Sequence, residues 1–380
     1  MSTSRFERSA DAYLNPERIQ IARMRRGLTK LELAKRINVT ARTITKYESE
    51  AAPASAAAAL SAALDFPVGY FLRGDAAVFN ATQVSFRAAR RATARQREAA
   101  VAAGIGGVEI DRWISQRFAL PALDLPDLAG CDPRKGAQVL RAMWGLGTKP
   151  LPNLVQLCES RGIRVYTLPP FADAVDAYSI WYDEVPYVFL TRRKTPERIR
   201  FDLAHELGHL VLHGDVPAES TAEERAADAF ASEFLIPSAS LSEYLRHNPS
   251  FQELLTVRTQ FKVSAMALAY AAHQAGRMTD WAHRHICIEL SQNGFRTAEP
   301  GGMPTYEMSR VFTQILGSAS KSTVNARMIA TDLDVPVSDV HALTFGTELR
   351  AAQDTEVTNV SANDHHQSKS VSTKRHLQSV

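Results

Sequence analysis

The sequence predicts a mainly α-helical protein with one small β-sheet, an α+β fold, and three observations lead to that prediction. Over residues 16–74, short segments with helix-start and helix-stop signals follow one another closely. Over residues 163–190, apolar and polar side chains alternate as they do in strands. Directly after those strands, a long amphipathic helix begins at Pro196, a residue that favours the first helical position.

The composition indicates two or three domains. The chain has 380 residues, of which 45% are hydrophobic and 22% charged, so it can bury more than one core. Its three cysteines are widely separated and show no Cys-x-x-Cys spacing, which argues against a disulfide framework and favours a reducing cytoplasm. The polar N-terminal arm, residues 1–15, lacks a signal core, and no stretch is apolar enough to span a bilayer.

Three short helices are predicted in the N-terminal part, at residues 16–25, 30–37 and 41–48. Gly27 ends the first helix, and Thr29 and Thr40 are the N-cap residues of the other two. Asn38 lies in the tight turn between the second and third helices, where the backbone commonly needs a positive φ. This pattern predicts a helix-turn-helix preceded by a helix of its own.

The third helix is predicted to read double-stranded DNA in the major groove. Four of its positions are expected to face base edges, with Arg42 the first candidate and Lys46 the next, beside Ala41 and Thr43. Lys30 and Ser49 are placed for phosphate contacts. Residues 16–50 contain nine Lys or Arg and four Glu, a net charge of +5 in a chain whose overall charge is +3, so the basic surplus is local. The alternative is a helical bundle whose basic residues form a solvated face.

Residues 16–74 resemble the XRE (Cro/C1-type) DNA-binding domains, through to the closing run from Asp65 to Leu72. Domains of this type read half-sites one helical turn apart. The resemblance therefore implies that the protein acts as a homodimer or binds its operator weakly.

Residues 75–135 are predicted to be a basic helical connector followed by a Pro-rich linker. Arginines concentrate between residues 82 and 97, and two interpretations stay open. This stretch either extends the contact with DNA phosphates or forms the solvated side of a connecting helix that continues to residue 118. Residues 120–126 contain two prolines and are expected to be extended.

A second domain is predicted over residues 136–290. Helices are expected at residues 136–144 and 153–161, and strands at residues 163–168, 177–182 and 186–190. A short sheet followed by a long helix makes a cleft in which a sheet edge can bind an extended peptide as an added strand. The sequence does not tell which strand forms that edge.

Inside the long helix, His205, Glu206 and His209 form a His-Glu-x-x-His run. Because positions i and i+4 lie one turn apart on one helix face, the two imidazoles can share one Zn²⁺, with the carboxylate beside a zinc-bound water. Zinc lowers the pKa of its water toward about 7 and polarises a carbonyl, while the carboxylate takes up the proton. The motif predicts one zinc per chain and Glu206 as the general base.

A third zinc ligand is expected on the acidic helix at residues 221–234. Glu224 is assigned as this ligand, and Asp228, four residues on, as a carboxylate that orients a ligand histidine. Glu223 points about 100° away on a helix and competes only weakly. Asp215 is a rival ligand with a shorter spacing. His213, in the last turn of the metal helix, either interacts with the helix dipole or touches substrate.

Residues 136–237 resemble the ImmA/IrrE family of metallo-endopeptidases. The resemblance rests on the run from Arg200 to His209, on Glu224-Arg225-Ala226-Ala227-Asp228-Ala229-Phe230-Ala231, and on Phe234-Leu235-Ile236-Pro237. It implies a zincin-like metallopeptidase domain in which His205, His209 and Glu224 hold zinc and Glu206 is the base. The best-known substrates of that family are repressors of the XRE type.

Residues 291–350 are predicted to form a C-terminal helical unit. The spacing of Ala330, Leu333, Val335 and Val340 repeats that of Ala34, Ile37, Val39 and Ile44, which predicts a second helix-turn-helix-like unit over residues 324–345. Asp332, Asp334 and Asp339 stand where a DNA reader would carry Lys or Arg, so a protein-contact or dimerisation module is expected. Ordinary packing of two helices would produce the same spacing. Residues 351–380 are polar and are expected to be a disordered tail.

Two functions agree with these features. The first is a DNA-binding transcriptional regulator with zinc-dependent endopeptidase activity, which cleaves a repressor or antitoxin-like protein in a stress response or in prophage induction. The second is an XRE-type transcription factor without proteolysis, in which the zinc domain is a sensor or scaffold. Glu206 favours the first, because a structural zinc site has no use for a base. Fusion to a DNA-binding domain favours the second.

Overall fold

The structure, a computed structural model, describes residues 13–77, 79, 84–87, 92–172, 174–214, 220–316 and 324–349. The helices are α1 (Pro16–Arg25), α2 (Lys30–Arg36), α3 (Ala41–Ser49), α4 (Ala57–Leu64), α5 (Ala94–Ser115), α6 (Pro133–Met143), α7 (Leu154–Ser160), α8 (Pro196–Leu212), α9 (Thr221–Leu235), α10 (Leu241–Tyr244), α11 (Phe251–Phe261), α12 (Ala265–Gln274), α13 (Asp280–Gln292), α14 (Arg310–Leu316), α15 (Ala326–Leu333) and α16 (Val337–Leu343). The strands are β1 (Tyr13–Leu14), β2 (Ala52–Pro53), β3 (Ser85–Arg87), β4 (Arg164–Thr167), β5 (Ala177–Tyr182) and β6 (Val185–Leu190).

This architecture confirms the prediction of a mainly helical protein with little sheet. No helix in the described part of the chain is long and apolar enough to cross a membrane. The predicted tail at residues 351–380 and most of the predicted N-terminal arm lie outside the described residues. The proposed domain boundaries stay predictions.

The N-terminal helices begin where their capping residues stand. The side chains of Asn15, Thr29 and Thr40 accept hydrogen bonds from first-turn N–H groups of α1, α2 and α3, so these donors are satisfied at the helix starts. Asn38 has a φ of +55° in the turn that joins α2 to α3. The three predicted helices and the turn are confirmed, although α2 ends at Arg36, one residue before the predicted end.

Strands β1 and β2 pair in a two-stranded sheet. The other four strands form a second sheet in the order β3-β5-β6-β4. Strand β5 is antiparallel to both of its neighbours, β3 and β6, and β4 runs parallel to β6. The predicted strands of the second domain are confirmed as β4, β5 and β6. Helix α8 packs on β5 and β6, so the sheet supports the helix that carries the His-Glu-x-x-His run.

The prediction of one basic helix from residue 82 onward is wrong at its start. Residues 85–87 form β3, which pairs with β5 and is one edge of the sheet. The helix begins only at Ala94, where Thr93 and Gln96 form a capping box. A local pattern could not reveal this strand, because its pairing partner lies about ninety residues further on. Residues 88–91, with two of the clustered arginines, lie outside the described residues.

Helix α5 is a core element rather than a solvated connector. Most of its residues between Ala99 and Ile114 are buried. Gly104 and Gly107 have no side chain where the rings of Tyr178 and Phe189 approach the helix, so the sheet can pack closely against it. The Tyr178 hydroxyl donates a hydrogen bond to the Ala100 carbonyl over 2.9 Å. The α5 helix therefore covers one face of the four-stranded sheet.

The acidic residues of the C-terminal unit contact other parts of this same chain. Asp339 of α16 lies 2.7 Å from the guanidinium of Arg25 and 3.1 Å from that of Arg26, both at the end of α1. Asp332 accepts hydrogen bonds from Trp113 Nε1 over 2.9 Å and from Arg117 over 3.2 Å. These contacts tie α15 and α16 to the helix-turn-helix bundle and to α5.

Replacing Asp339 with Asn tests the contact between α16 and α1. The side chains of Arg25 and Asp339 are only 1% and 7% exposed, so removing the negative charge leaves buried guanidinium groups uncompensated. We expect a loss of about 3–5 kcal/mol in the free energy of unfolding. Urea unfolding followed by circular dichroism measures it.

Asp334→Asn is the matched control. Its carboxylate is 37% exposed and lies 3.5 Å from Arg73, so its loss should cost less than about 1 kcal/mol. Asn also tolerates the left-handed backbone at this position, where φ is +52°. Equal destabilisation by the two variants would contradict the importance of the buried pair.

Candidate metal centre and nucleic-acid interface

Helix α8 carries the metal motif on a buried face. His205, Glu206 and His209 are 1%, 0% and 2% exposed. The helix begins at Pro196 as predicted, with Thr195 at the N-cap. The Thr195 hydroxyl makes no capping hydrogen bond. Gly214, two residues past the helix end, has a φ of +61°, a left-handed backbone that glycine adopts readily after a helix.

Helix α9 brings the acidic side chains to the histidines. Its first turn is fixed by a capping box between Ser220 and Glu223, which uses the Glu223 carboxylate at the helix start. Where α9 crosses α8, a side chain at Gly208 would lie only 3.3 Å from the Ala227 Cα atom. Glycine at this point therefore allows the two helix backbones to approach closely.

Three of the predicted residues converge on one point. The Nε2 atoms of His205 and His209 lie 3.0 Å apart. The two carboxylate oxygens of Glu224 lie 3.5 Å from His205 Nε2 and 3.3 Å from His209 Nε2. In the described part of the chain, His205, His209 and Glu224 are the one group of ligand-type side chains within 4.8 Å of one another.

This donor set fits Zn²⁺. Two imidazole nitrogens and one carboxylate oxygen are the protein ligands of many catalytic zinc sites, in which the fourth position is left for water or substrate. The Nδ1 atom of His205 lies 2.9 Å from Asp228 Oδ1, so the carboxylate can hold the tautomer whose Nε2 lone pair points at the centre. The Glu224 side chain is 34% exposed, and the centre is therefore open on that side.

The electrostatic environment keeps the ligand groups in their metal-binding forms. Burial lowers the pKa of His209, which favours the neutral imidazole. Partial burial raises the pKa of Glu224, but the hydrogen bonds with His205 and His209 hold this pKa well below its usual range. A neutral imidazole and an ionised carboxylate are the forms that bind a metal ion.

Ser179 was not identified from the sequence, and His213 was expected to interact with the helix dipole or with substrate. Ser179 of β5 donates a hydrogen bond from its hydroxyl to Glu206 Oε2 over 2.7 Å. His213 Nδ1 lies 3.0 Å from His209 Nδ1, so it supports a histidine rather than the helix dipole alone. The four-residue spacing from His209 to His213 indicates that the two rings lie close together on one helix face. Nothing in the sequence around Ser179 indicates its contact with Glu206. Asp215, the rival ligand, lies outside the described residues.

The helix-turn-helix exposes part of the predicted DNA-reading surface. On α3, Arg42, Lys46 and Ser49 are exposed on one side. Arg42 forms no ion pair with any other described residue. Lys46 lies 3.7 Å from Glu50 with both side chains about two-thirds exposed, a contact weak enough to be exchanged for a phosphate. Thr45 is also exposed on this side. It was not among the predicted DNA-contact residues, although it lies three residues after Arg42 and therefore on the same helix face.

The other three of the six predicted DNA-contact residues are less accessible to DNA than Arg42, Lys46 and Ser49. Ala41 is half-buried against the core. The hydroxyl of Thr43 lies 2.8 Å from that of Thr40 at the helix start. Lys30 Nζ lies 3.4 Å from Glu48, whose carboxylate also binds Arg23. The charge of Lys30 is therefore partly neutralised within the protein.

Glu224→Gln is expected to release the zinc, because the neutral amide is a much poorer ligand than a carboxylate. Removing even a supporting residue outside the ligand shell commonly lowers zinc affinity about 10- to 100-fold. We expect the loss from Glu224→Gln to reach at least the upper end of that range. Elemental analysis after dialysis against a competing chelator measures it.

Glu223→Gln is the matched control for that experiment. Glutamine can keep the capping box with Ser220, so this variant should retain its zinc and its helix. Equal zinc loss in both variants would contradict the assignment of Glu224 as the third ligand.

Two family models match separate segments of the chain. Residues 19–71 match the helix-turn-helix family. Residues 158–273 match the IrrE N-terminal-like domain, a family of the peptidase class M78. The second segment contains the whole candidate metal centre, and the first contains α2 and α3. No curated protein matches the chain significantly. One polypeptide therefore combines a segment that matches an XRE-type helix-turn-helix model with a segment that matches the IrrE-like model of the M78 peptidase class.

Proposed function

We propose that this DNA-binding regulator is also a zinc-dependent endopeptidase that cleaves a protein partner and thereby changes transcription. The observation that carries the proposal is the position of Glu206. This carboxylate is fully buried, is held by Ser179 on the neighbouring strand, and follows directly after a histidine of the candidate metal centre. A purely structural metal site needs no such group.

The ligands proposed for one Zn²⁺ are His205, His209 and Glu224. When bound, the ion would polarise the scissile carbonyl and activate a water molecule. Glu206 accepts the proton of that water and then delivers it to the leaving nitrogen. Ser179 and Asp228 act through their partners, because the first orients the Glu206 carboxylate and the second orients the His205 ring.

The proposed substrate is an extended segment of a repressor or antitoxin-like protein. The four-stranded sheet has two edges, β3 and β4, and β3 lies next to β5, the strand whose Ser179 holds Glu206. An extended peptide can add to such an edge through backbone hydrogen bonds without a deep pocket. The family resemblance supports the repressor class, and a stress response or prophage induction is the setting that fits such a switch.

A second function is supported by the contacts between the two parts of the chain. Arg18 of α1 lies 2.5 Å from Glu109 of α5, and Arg25 lies 2.7 Å from Asp339 of α16. The helix-turn-helix is thus joined to the elements around the sheet by buried charge pairs. In a transcription factor without proteolysis, metal binding would act on DNA affinity through these contacts.

Glu206→Gln distinguishes the two functions. Loss of the base should lower the rate of peptide hydrolysis by about 10²- to 10⁴-fold. Zinc content and DNA affinity should stay unchanged, because Glu206 is neither a proposed zinc ligand nor part of the DNA-reading surface. Cleaved peptides in cells expressing the wild type or the variant can be compared by mass spectrometry, beside transcript levels. If transcript levels are the same in both kinds of cells and no peptide is cleaved only by the wild type, the protease proposal is wrong and the second function is favoured.

Arg42→Ala tests the DNA-reading surface. A base contact by arginine is commonly worth about 1–3 kcal/mol, so we expect a roughly 5- to 150-fold loss of affinity for the operator and a smaller loss for unrelated DNA. Fluorescence anisotropy at a fixed salt concentration measures both. Arg246→Ala is the control, because this side chain is 88% exposed and lies outside the helix-turn-helix. An equal loss of operator affinity in both variants would contradict the proposal that α3 contacts the bases of the operator.

A further inference from the structure

Helix α13 presents an exposed aromatic and apolar face. Trp281 and Ile288 are 71% and 57% exposed. The rings of Trp281 and His285 stack with centroids 5.4 Å apart and planes within 1° of parallel, so they form a flat platform on the surface. The opposite face of the helix is buried through Ala282, Ile286 and Leu290. The helix is therefore anchored in the protein, and no part of the chain that the structure describes covers this exposed face.

The spacing of the exposed residues is that of a helix-pairing seam. Trp281, His285, Ile288 and Gln292 follow one another at intervals of four, three and four residues, as the d and a positions of a heptad do. Arg284 and Glu289 then flank the seam at g and e positions. Neither forms an ion pair with another described residue.

The charges on the flanks favour one arrangement of two copies. In a parallel pair of identical helices, a g residue faces the e residue five positions later on the other helix. Arg284 of each copy would then meet Glu289 of the other, and the two-fold symmetry would make this ion pair twice. In an antiparallel pair, Arg284 would instead face Arg284 of the other copy and Glu289 would face Glu289, so like charges would meet. The complementarity therefore indicates a parallel pair.

The DNA-binding surface gives an independent reason for a second copy. Helix-turn-helix proteins read two half-sites with two reading heads. Helices α15 and α16, the second helix-turn-helix-like unit, bind Arg25, Arg117 and Trp113 through their aspartates. This unit is thus acidic and paired within the chain, so a second DNA-reading helix would be supplied by another copy of the chain.

We propose that the α13 face is the contact between two copies of this chain, with the two α13 helices parallel about a two-fold axis. Trp281, His285 and Ile288 pack against their counterparts, and Arg284 pairs with Glu289 of the other copy. Exposed tryptophans that become buried in an interface commonly dominate its binding energy. The proposal rests on the proposed DNA reading only for its biological purpose. The contact itself forms without DNA, zinc or substrate.

The test is sedimentation equilibrium of the full chain over a concentration series without DNA. We expect a concentration-dependent dimer for the wild type and a rise of about tenfold or more in the dimer Kd for Trp281→Ala. Met143→Ala is the control, because this methionine is 57% exposed on α6 and its loss should leave the Kd unchanged. Circular dichroism and zinc content show whether each variant is folded.

A charge exchange provides the decisive comparison. Arg284→Glu and Glu289→Arg should each weaken the dimer, and the double variant should restore most of the association because it exchanges the two signs. A monomeric wild type at all concentrations, a dimer indifferent to Trp281→Ala, or a double variant weaker than both single variants would overturn the proposal. Binding of a different purified protein to the Trp281 face of a monomer would also overturn it. Loss of proteolysis or of DNA binding with the dimer intact would count against the proposed function alone.

Discussion

The close approach of α8 and α9 at Gly208 is the constraint on which the metal centre depends. Two histidines on one helix face can supply only two ligands, and the third has to come from another element. With a larger residue at this position, the backbone of α9 would be held away at Ala227. Glu224 lies about one turn before Ala227 on α9, and Asp228 directly follows Ala227. Their distances from the histidines are therefore set by how closely the two helices pack.

The sheet contributes to the same centre from the other side of α8. Ser179 lies on β5 and reaches Glu206, so the strand determines which way this carboxylate points. The sheet is itself held by α5, in which Gly104 and Gly107 leave room for the rings of Tyr178 and Phe189. Helix α5 also contacts the helix-turn-helix through Glu109. One helix thus packs against both the DNA-binding bundle and the sheet beneath the metal helix.

Buried arginines define how the parts of the chain are oriented. Arg25 and Arg200 are almost completely buried, and each lies beside a carboxylate from a distant segment, Asp339 and Glu307 respectively. Such pairs add little net stability, because both charges lose their hydration. An arrangement that separated them would leave a buried charge without its partner, however. The pairs therefore favour one relative orientation of the helix-turn-helix, the C-terminal unit and the metal helix.

The features that arise within a few residues of the chain follow from the amino-acid sequence alone. These are the capped helices, the turn at Asn38 with its positive φ, the alternating strands, and the His-Glu-x-x-His spacing that places two imidazoles on one face. Local hydrogen bonds and helical periodicity suffice for all of them. The assignment of Glu224 and Asp228 was also accessible, because a four-residue spacing on one helix keeps both on the same side.

The contacts between residues far apart in sequence became visible only in the folded chain. The strand at residues 85–87, the hydroxyl of Ser179 on Glu206, and the pairing of Arg25 with Asp339 all join segments whose own patterns carry no sign of the partner. The basic run therefore suggested a helix, and the aspartates of the C-terminal unit suggested an unspecified protein contact. Which side chain meets which is set by packing of the whole chain, since a buried charge or strand edge is stable only where its partner is already in place.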